Sequence, residues 1–181
     1  VELGGIRLAI PVLAAAMDAV VDARFAGVLA RLGGLAVLNL EGVQTRHEEP
    51  DALLERIAGA SDGEVQAVLA EAYAQPVRED LVARRIEEIH AAGSPAAVSA
   101  TPGVARRFGP FCAEHGADLF LVQSQVSSAR HLATGYEALE LDEFTRLMGI
   151  PVAVGNTSSF DAAYQLMHQG IVAIFVGVGP G

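Results

Sequence analysis

The chain has 181 residues, 51% of them hydrophobic and 19% charged, a balance that excludes a disordered polymer and allows one sizeable buried core. Twelve basic against 22 acidic side chains give a formal net charge of −10, and no local basic patch reverses it, so no nucleic-acid partner is expected. Cys112 is the single cysteine and no charged-then-apolar leader opens the chain, while apolar runs such as 8–17 and 171–176 fall short of the ~20 residues of a membrane span; a cytoplasmic protein with no membrane partner is expected.

In chain order, Ile6 to Ala16 is predicted as a buried strand. Asp18 or Asp22 can cap the helix after it, in which Phe25, Val28, Leu29 and Leu32 keep helical spacing. Gly33-Gly34 ends that helix, and Leu35 to Asn39 is a second strand. Glu41-Gly42 then opens a long helical region. Leu53, Leu54 and Ile57 mark one helix, Val65, Val68 and Leu69 another, and Val82, Ile86 and Ile89 a third, with breaks at Ser61-Asp62-Gly63 and Gln75-Pro76. Further strands are predicted at Ala96 to Ala100, Asp118 to Gln123, Pro151 to Val154 and Val172 to Val176, with Pro102 early in the helix after the third.

Short apolar strands alternating with helices are the pattern of a parallel sheet covered on both sides. The expected fold is α/β: a TIM (β/α)8 barrel, seen as an incomplete barrel of about six strands. Residues 1–181 would form part of one barrel domain, with the helical segment 41–95 between its second and third strands. A complete barrel has eight strands and about 250 residues, so the remaining strands would follow residue 181. Barrel sites are built from loops at the C-terminal strand ends, where Asn156 and the Gly177-Val-Gly-Pro-Gly181 loop fall.

These residues have a chemical use and a plain structural alternative. Gly177, Gly179 and Gly181 leave main-chain groups unshielded for a cofactor carboxamide or a monovalent cation, or they form an ordinary glycine turn. Asn156 both donates and accepts, which suits a carboxamide or a ribose hydroxyl; alternatively it shapes the approach to a helix capped by Ser158 with Asp161. Met17, after the first strand, offers a polarizable thioether either to a ligand or to the core. Cys112 falls in a helix and reads as a packing residue. The histidines at 47, 90, 115, 131 and 168 lack metal-ligand spacing and read as solvated, and Arg84-Arg85 with Glu87-Glu88 reads as an exposed charged face.

The segments Ile10-Pro-Val-Leu-Ala-Ala-Ala-Met-Asp18, Leu32-Gly-Gly-Leu-Ala-Val-Leu-Asn39, Gly155-Asn156 and Val176-Gly-Val-Gly-Pro-Gly181 together resemble the IMP dehydrogenase and GMP reductase family, purine-nucleotide oxidoreductases with a barrel fold. Glu41 to Pro95 is too short for the tandem CBS domain of typical IMP dehydrogenases, which needs about 100 residues, so the resemblance is to the branch that lacks it. The turn Leu38-Asn39-Leu40-Glu41-Gly42 also fits that branch. GMP reductases lack the insert as well.

The resemblance implies a cysteine thiolate that attacks C2 of IMP, hydride transfer to NAD or NADP, and hydrolysis of the covalent intermediate to XMP. That catalytic cysteine is expected just after residue 181, leaving no catalytic residue within this chain. Met17 and Gly181 would contact substrate; Gln123, Ser124, Asn156, Gly177 and Gly179 would contact cofactor; the Gly179 and Gly181 carbonyls would hold a monovalent cation such as K+. The implied partners are a purine nucleotide, IMP, XMP or GMP, and further copies of the chain in a homo-oligomer, a tetramer. GMP reductase, or a purine-binding barrel without turnover, is the alternative. Three positions depart from the family's pattern: Ala14 to Ala16 lacks its serine, Gln123 replaces its cofactor-binding aspartate, and Phe175 stands where a basic residue is common. A neutral Gln123 penalises the extra phosphate of NADP less than an aspartate would.

Overall fold

The computed structural model describes residues 1–124 and 139–177. The chain opens with an antiparallel hairpin, β1 (Glu2–Leu3) and β2 (Ile6–Arg7), followed by β3 (Leu13–Ala14) and α1 (Ala23–Arg31). β4 (Leu35–Asn39) leads through a 3₁₀ turn, Val43–Thr45, into α2 (Pro50–Gly59), α3 (Val65–Ala74) and α4 (Glu79–Ala91). The alternation then becomes regular: β5 (Ala97–Ala100), α5 (Pro102–Glu114), β6 (Leu119–Gln123), α6 (Leu141–Met148), β7 (Val152–Thr157), α7 (Phe160–Leu166) and β8 (Ala173–Val176). Strands β3 to β8 form one parallel sheet in sequential order. This is the incomplete (β/α) barrel expected from the alternation, curled so that one face becomes its interior.

Strand alternation sorts the apolar side chains into two cores. Leu35, Val37, Ala97, Leu119, Leu121 and Ala153 share the inner core with Leu8, which reaches it from the opening hairpin. Their neighbours Ala36, Leu38, Val98, Phe120, Val122 and Val154 belong to the outer core, with Ile86, Ile89, Phe108, Phe144 and Leu166 of the helices. Each such Leu, Ile or Phe contributes roughly 1.5–3 kcal/mol relative to an exposed position. The outer core includes Cys112, fully buried in α5 as a packing residue.

The first predicted strand is corrected. Ile6 to Ala16 is not continuous, because Gly4 and Gly5 take φ of 56° and 89° and fold Leu3 back onto Ile6. Only Leu13 and Ala14 then pair with β4, opposite Leu35 and Ala36. The fifth strand runs further than expected, to Thr157, because pairing with β8 resumes after a register shift between Gly155 and Thr157. Asn156 sits at that bulge, within the strand rather than after it.

Helix termini bring two more corrections. Asp22 caps α1 by accepting from the Phe25 N–H at 2.6 Å. At α7 the cap is Ser159, not Ser158: its extended backbone places Oγ 3.2 Å from the Ala162 N–H, while Asp161 lies in the first turn.

The charged stretch on α4 is not uniformly exposed. Arg84 is solvated and pairs with Glu88 at 2.8 Å, whereas Arg85 is only 6% exposed. It faces inward because the 3₁₀ turn and the residues after it present carbonyls to it: Nε donates to Gln44 O at 2.8 Å, and Nη2 to His47 O and Glu48 O at 3.3 Å each. His47 is also half-buried, its Nε2 2.8 Å from Ala72 O, so it is not a solvated residue either. His90, His115 and His168 are exposed, and His131 lies outside the described residues. No helix among the described residues is long and apolar enough to cross a membrane.

Candidate functional site at the strand C-termini

Parallel strands carry their C-terminal ends to one mouth, and the polar residues of this sheet concentrate there. On β6 and β7 the strand ends are zipped together by Ser124 N–H donating to Gly155 O at 2.8 Å and Asn156 N–H donating to Ser124 O at 3.0 Å. Above that zip the Gln123 Nε2 donates to Asn156 Oδ1 at 3.3 Å, pairing two neutral amides. Gly155 permits this geometry, since a Cβ there would lie 2.5 Å from the Phe175 Cβ on β8. At the end of β8, Gly177 donates to Thr157 O at 2.7 Å and turns away with φ of 108°. Thr157 is fully buried, and its hydroxyl has no partner among the described residues.

Gln123, Ser124 and Asn156 are thus brought together, with Gly177 on the adjoining strand end. Gly179 and Gly181, with the cation expected at their carbonyls, lie outside the described residues. Among the described residues, no group of three or more His, Cys, Asp or Glu side chains is placed to hold a metal.

Met17 follows β3 at the same end of the sheet and is 57% exposed, so it is not a core methionine. Its carbonyl accepts from the Val20 and Val21 N–H groups at 3.0 Å each, which makes a turn of residues 17–21. Asp18 ties this turn down. Its Oδ1 accepts from Asn39 Nδ2 at 3.0 Å, and its Oδ2 from the Val43 N–H at 3.1 Å and from the Tyr73 hydroxyl. Burial, then the adjacent Asp18 carboxylate, pushes Tyr73 up to about 12, so its hydroxyl remains a donor across the neutral range. Glu41 bridges the next strand ends, accepting from the Thr101 N–H at 2.6 Å and Thr101 Oγ1 at 3.1 Å.

Tyr73, Glu41 and Thr101 are mouth residues that the sequence reading missed. Their partners lie 55 and 60 residues away, and no local spacing announces such a contact. Cys112 stands apart from the mouth; burial pushes its thiol up to about 12, which removes it as a thiolate nucleophile.

What the mouth can do follows from its donors and acceptors. The two neutral amides, the glycine main chain and the exposed thioether suit a flat heterocycle and a carboxamide or ribose, while the carboxylates at this mouth, Asp18 and Glu41, are taken up by donors of the protein itself. Gln123 and Asn156 are the side chains here that could hold a cofactor carboxamide or ribose.

Comparison with known proteins identifies the family. Residues 3–181 match the model of the IMP dehydrogenase / GMP reductase domain. An uncharacterized oxidoreductase of Mycobacterium leprae is 35% identical over 183 aligned residues, which cover 98% of this chain and 49% of that protein. One from Mycobacterium tuberculosis is 36% identical with the same coverage. A solved IMP dehydrogenase/GMP reductase-like protein from Corynebacterium glutamicum superposes with a TM-score of 0.89 at 27% identity, over 98% of this chain and 48% of its own. The chain spans about half the length of these relatives. With a match running through every strand of the part-barrel and both sides of its polar mouth, the chain belongs to the IMP dehydrogenase/GMP reductase family.

Proposed function

We propose that the protein is an NAD(P)-dependent oxidoreductase acting on a purine nucleotide at this mouth, with oxidation of IMP to XMP as its reaction. The observation that carries the reading is the placing of the Gln123–Asn156 amide pair and the Met17 turn at the same strand ends of a family barrel. Met17 would pack its thioether on the purine face, and Gly181 would meet the nucleotide through its main chain. Gln123, Ser124, Asn156, Gly177 and Gly179 would orient the cofactor, with a monovalent cation such as K+ on the Gly179 and Gly181 carbonyls.

When bound, the oxidised nicotinamide supplies the acceptor for hydride. In balance, IMP, water and oxidised cofactor give XMP, reduced cofactor and a proton: the C2–H bond of the purine breaks and the water oxygen becomes the new C2 oxygen. The nucleophile this route requires is a cysteine following the glycine loop. A homo-oligomer, a tetramer, in the cytoplasm belongs to the same reading.

The neutral amide pair also supports a second direction. Where a carboxylate would repel the 2′-phosphate of NADP, Gln123 does not, and NADPH serves reductions; conversion of GMP to IMP with release of ammonia is the alternative. Assays of the complete gene product decide between them. XMP formation from IMP is the expected result, whereas IMP formed from GMP at the expense of NADPH establishes the second direction. Absence of turnover with every purine nucleotide in both directions would overturn the oxidoreductase reading.

A further inference from the structure

The hairpin of α2 and α3 is a satellite of the barrel: in α2 only Pro50 is buried, and in α3 only Val68 and Ala72. One of its side chains reaches the mouth. Tyr73, in the last turn of α3, donates its hydroxyl to the same Asp18 oxygen that accepts from Val43 N–H. Arg46 braces it from behind. The guanidinium lies 5.8 Å from the Tyr73 ring centroid, donates through Nη1 to Tyr73 O at 3.3 Å and to Gln75 O, and is anchored through Nε to Glu41 O at 2.9 Å.

Asp18 is closely packed. A Cβ on Gly42 would lie 1.7 Å from its Oδ1, so the carboxylate is pressed on the 42–43 backbone while held by Asn39, Val43 and Tyr73. Met17 is the preceding residue, and its carbonyl anchors the 17–21 turn. The turn that carries the exposed thioether therefore adjoins a carboxylate whose third donor comes from the hairpin.

We propose that Tyr73 is a positioning residue for the purine site, its hydroxyl fixing Asp18 and through it the Met17 turn, so that the α2–α3 hairpin sets nucleotide affinity. This rests on the reading of the mouth as a purine-nucleotide site. Among the described residues the Tyr73 side chain meets Asp18 and Arg46, not the Gln123–Asn156 pair or the β8 end, so its contribution falls on binding of the base rather than on cofactor orientation. Losing one hydrogen bond to a carboxylate loosens the turn without removing the thioether.

The test is Tyr73→Phe in the complete gene product, with Tyr164→Phe on α7 as the control. Roughly a three- to ten-fold rise in KM for the purine nucleotide is expected, with kcat within about two-fold, as for loss of one charge-assisted bond. Amide exchange provides a reading independent of any ligand. The Val20, Val21 and Val43 amides should exchange faster in Tyr73→Phe while that of Leu121 in β6 stays protected, and Tyr164→Phe should change none of them. If the three amides keep their protection, or if kcat falls while KM holds, the proposal is wrong. An enzyme that turns over no purine nucleotide defeats the functional reading instead, and the exchange pattern alone then decides whether Tyr73 positions the turn.

Discussion

Gly42→Ala is expected to destabilise the protein by about 3 kcal/mol, the cost of overpacking added to that of weakened hydrogen bonds to a carboxylate. The cause is steric. Gly42 has φ of −88° and ψ of −173°, an extended conformation that alanine adopts freely, but the added Cβ would lie 1.7 Å from Asp18 Oδ1 and 2.4 Å from Asp18 Cγ. The carboxylate must leave, and with it go the bonds to Asn39, Val43 and Tyr73 that hold strand ends β3 and β4 and the α3 helix together. Gly59→Ala supplies the contrast: nothing lies within 4 Å of its Cβ position in α2, so that substitution should be neutral or stabilising by up to about 1 kcal/mol. Denaturant midpoints at constant m-value measure both.

Arg85→Ala should cost about 3–5 kcal/mol, against about 0.5 kcal/mol or less for Arg84→Ala one position before it. Truncation at 85 strands the buried carbonyl of Gln44 and removes the 2.7 Å partner of Glu88, whereas Arg84 is a solvated helix-face residue. Burial works against ionisation of Glu88, but hydrogen bonds from Arg85 and Arg84 outweigh it and hold its carboxyl below the usual range. A carboxyl depressed in the folded state stabilises above its unfolded pKa and loses that contribution as pH falls through the folded one. The gap between wild type and Arg85→Ala should therefore narrow in acid below the ordinary carboxylate range. A gap that widened there, or equal costs at 84 and 85, would contradict the burial assigned to Arg85.

These two sites also mark where the sequence was readable and where it was not. The apolar runs ending at Asn39, Gln123 and Val176 emerged as parallel strands because apolar continuity is itself the signal of a strand covered on both faces, as the first two are; the third is only half-buried. Ile6 to Ala16 misled for the same reason: Leu8 is apolar because it fills the inner core, not because it pairs in the sheet. Arg85 was misassigned because its neighbours Arg84, Glu87 and Glu88 look like a solvated face, and only the carbonyls of Gln44, His47 and Glu48 distinguish it.

The candidate site divides similarly. Gln123 ends its strand, Asn156 lies one residue before the end of its own and Met17 follows the first, a neighbourhood that strand periodicity locates to within a few residues. Asp18 was visible as one of two possible helix caps and as the end of a family-like segment, but not in its bonding role, because the donors that define it arrive from Asn39, Val43 and Tyr73 across long sequence separations. Such closures are properties of the folded barrel and leave no local pattern.

The most direct test of the central claim, that a purine nucleotide binds at the C-terminal mouth of this part-barrel, is a crystal structure of the complete gene product with IMP. The account requires the base stacked on the Met17 thioether, on the same face of the sheet as the Gln123–Asn156 pair. A nucleotide seated at the hairpin end of the barrel beneath Leu8, or one making no contact with the 17–21 turn, would contradict it.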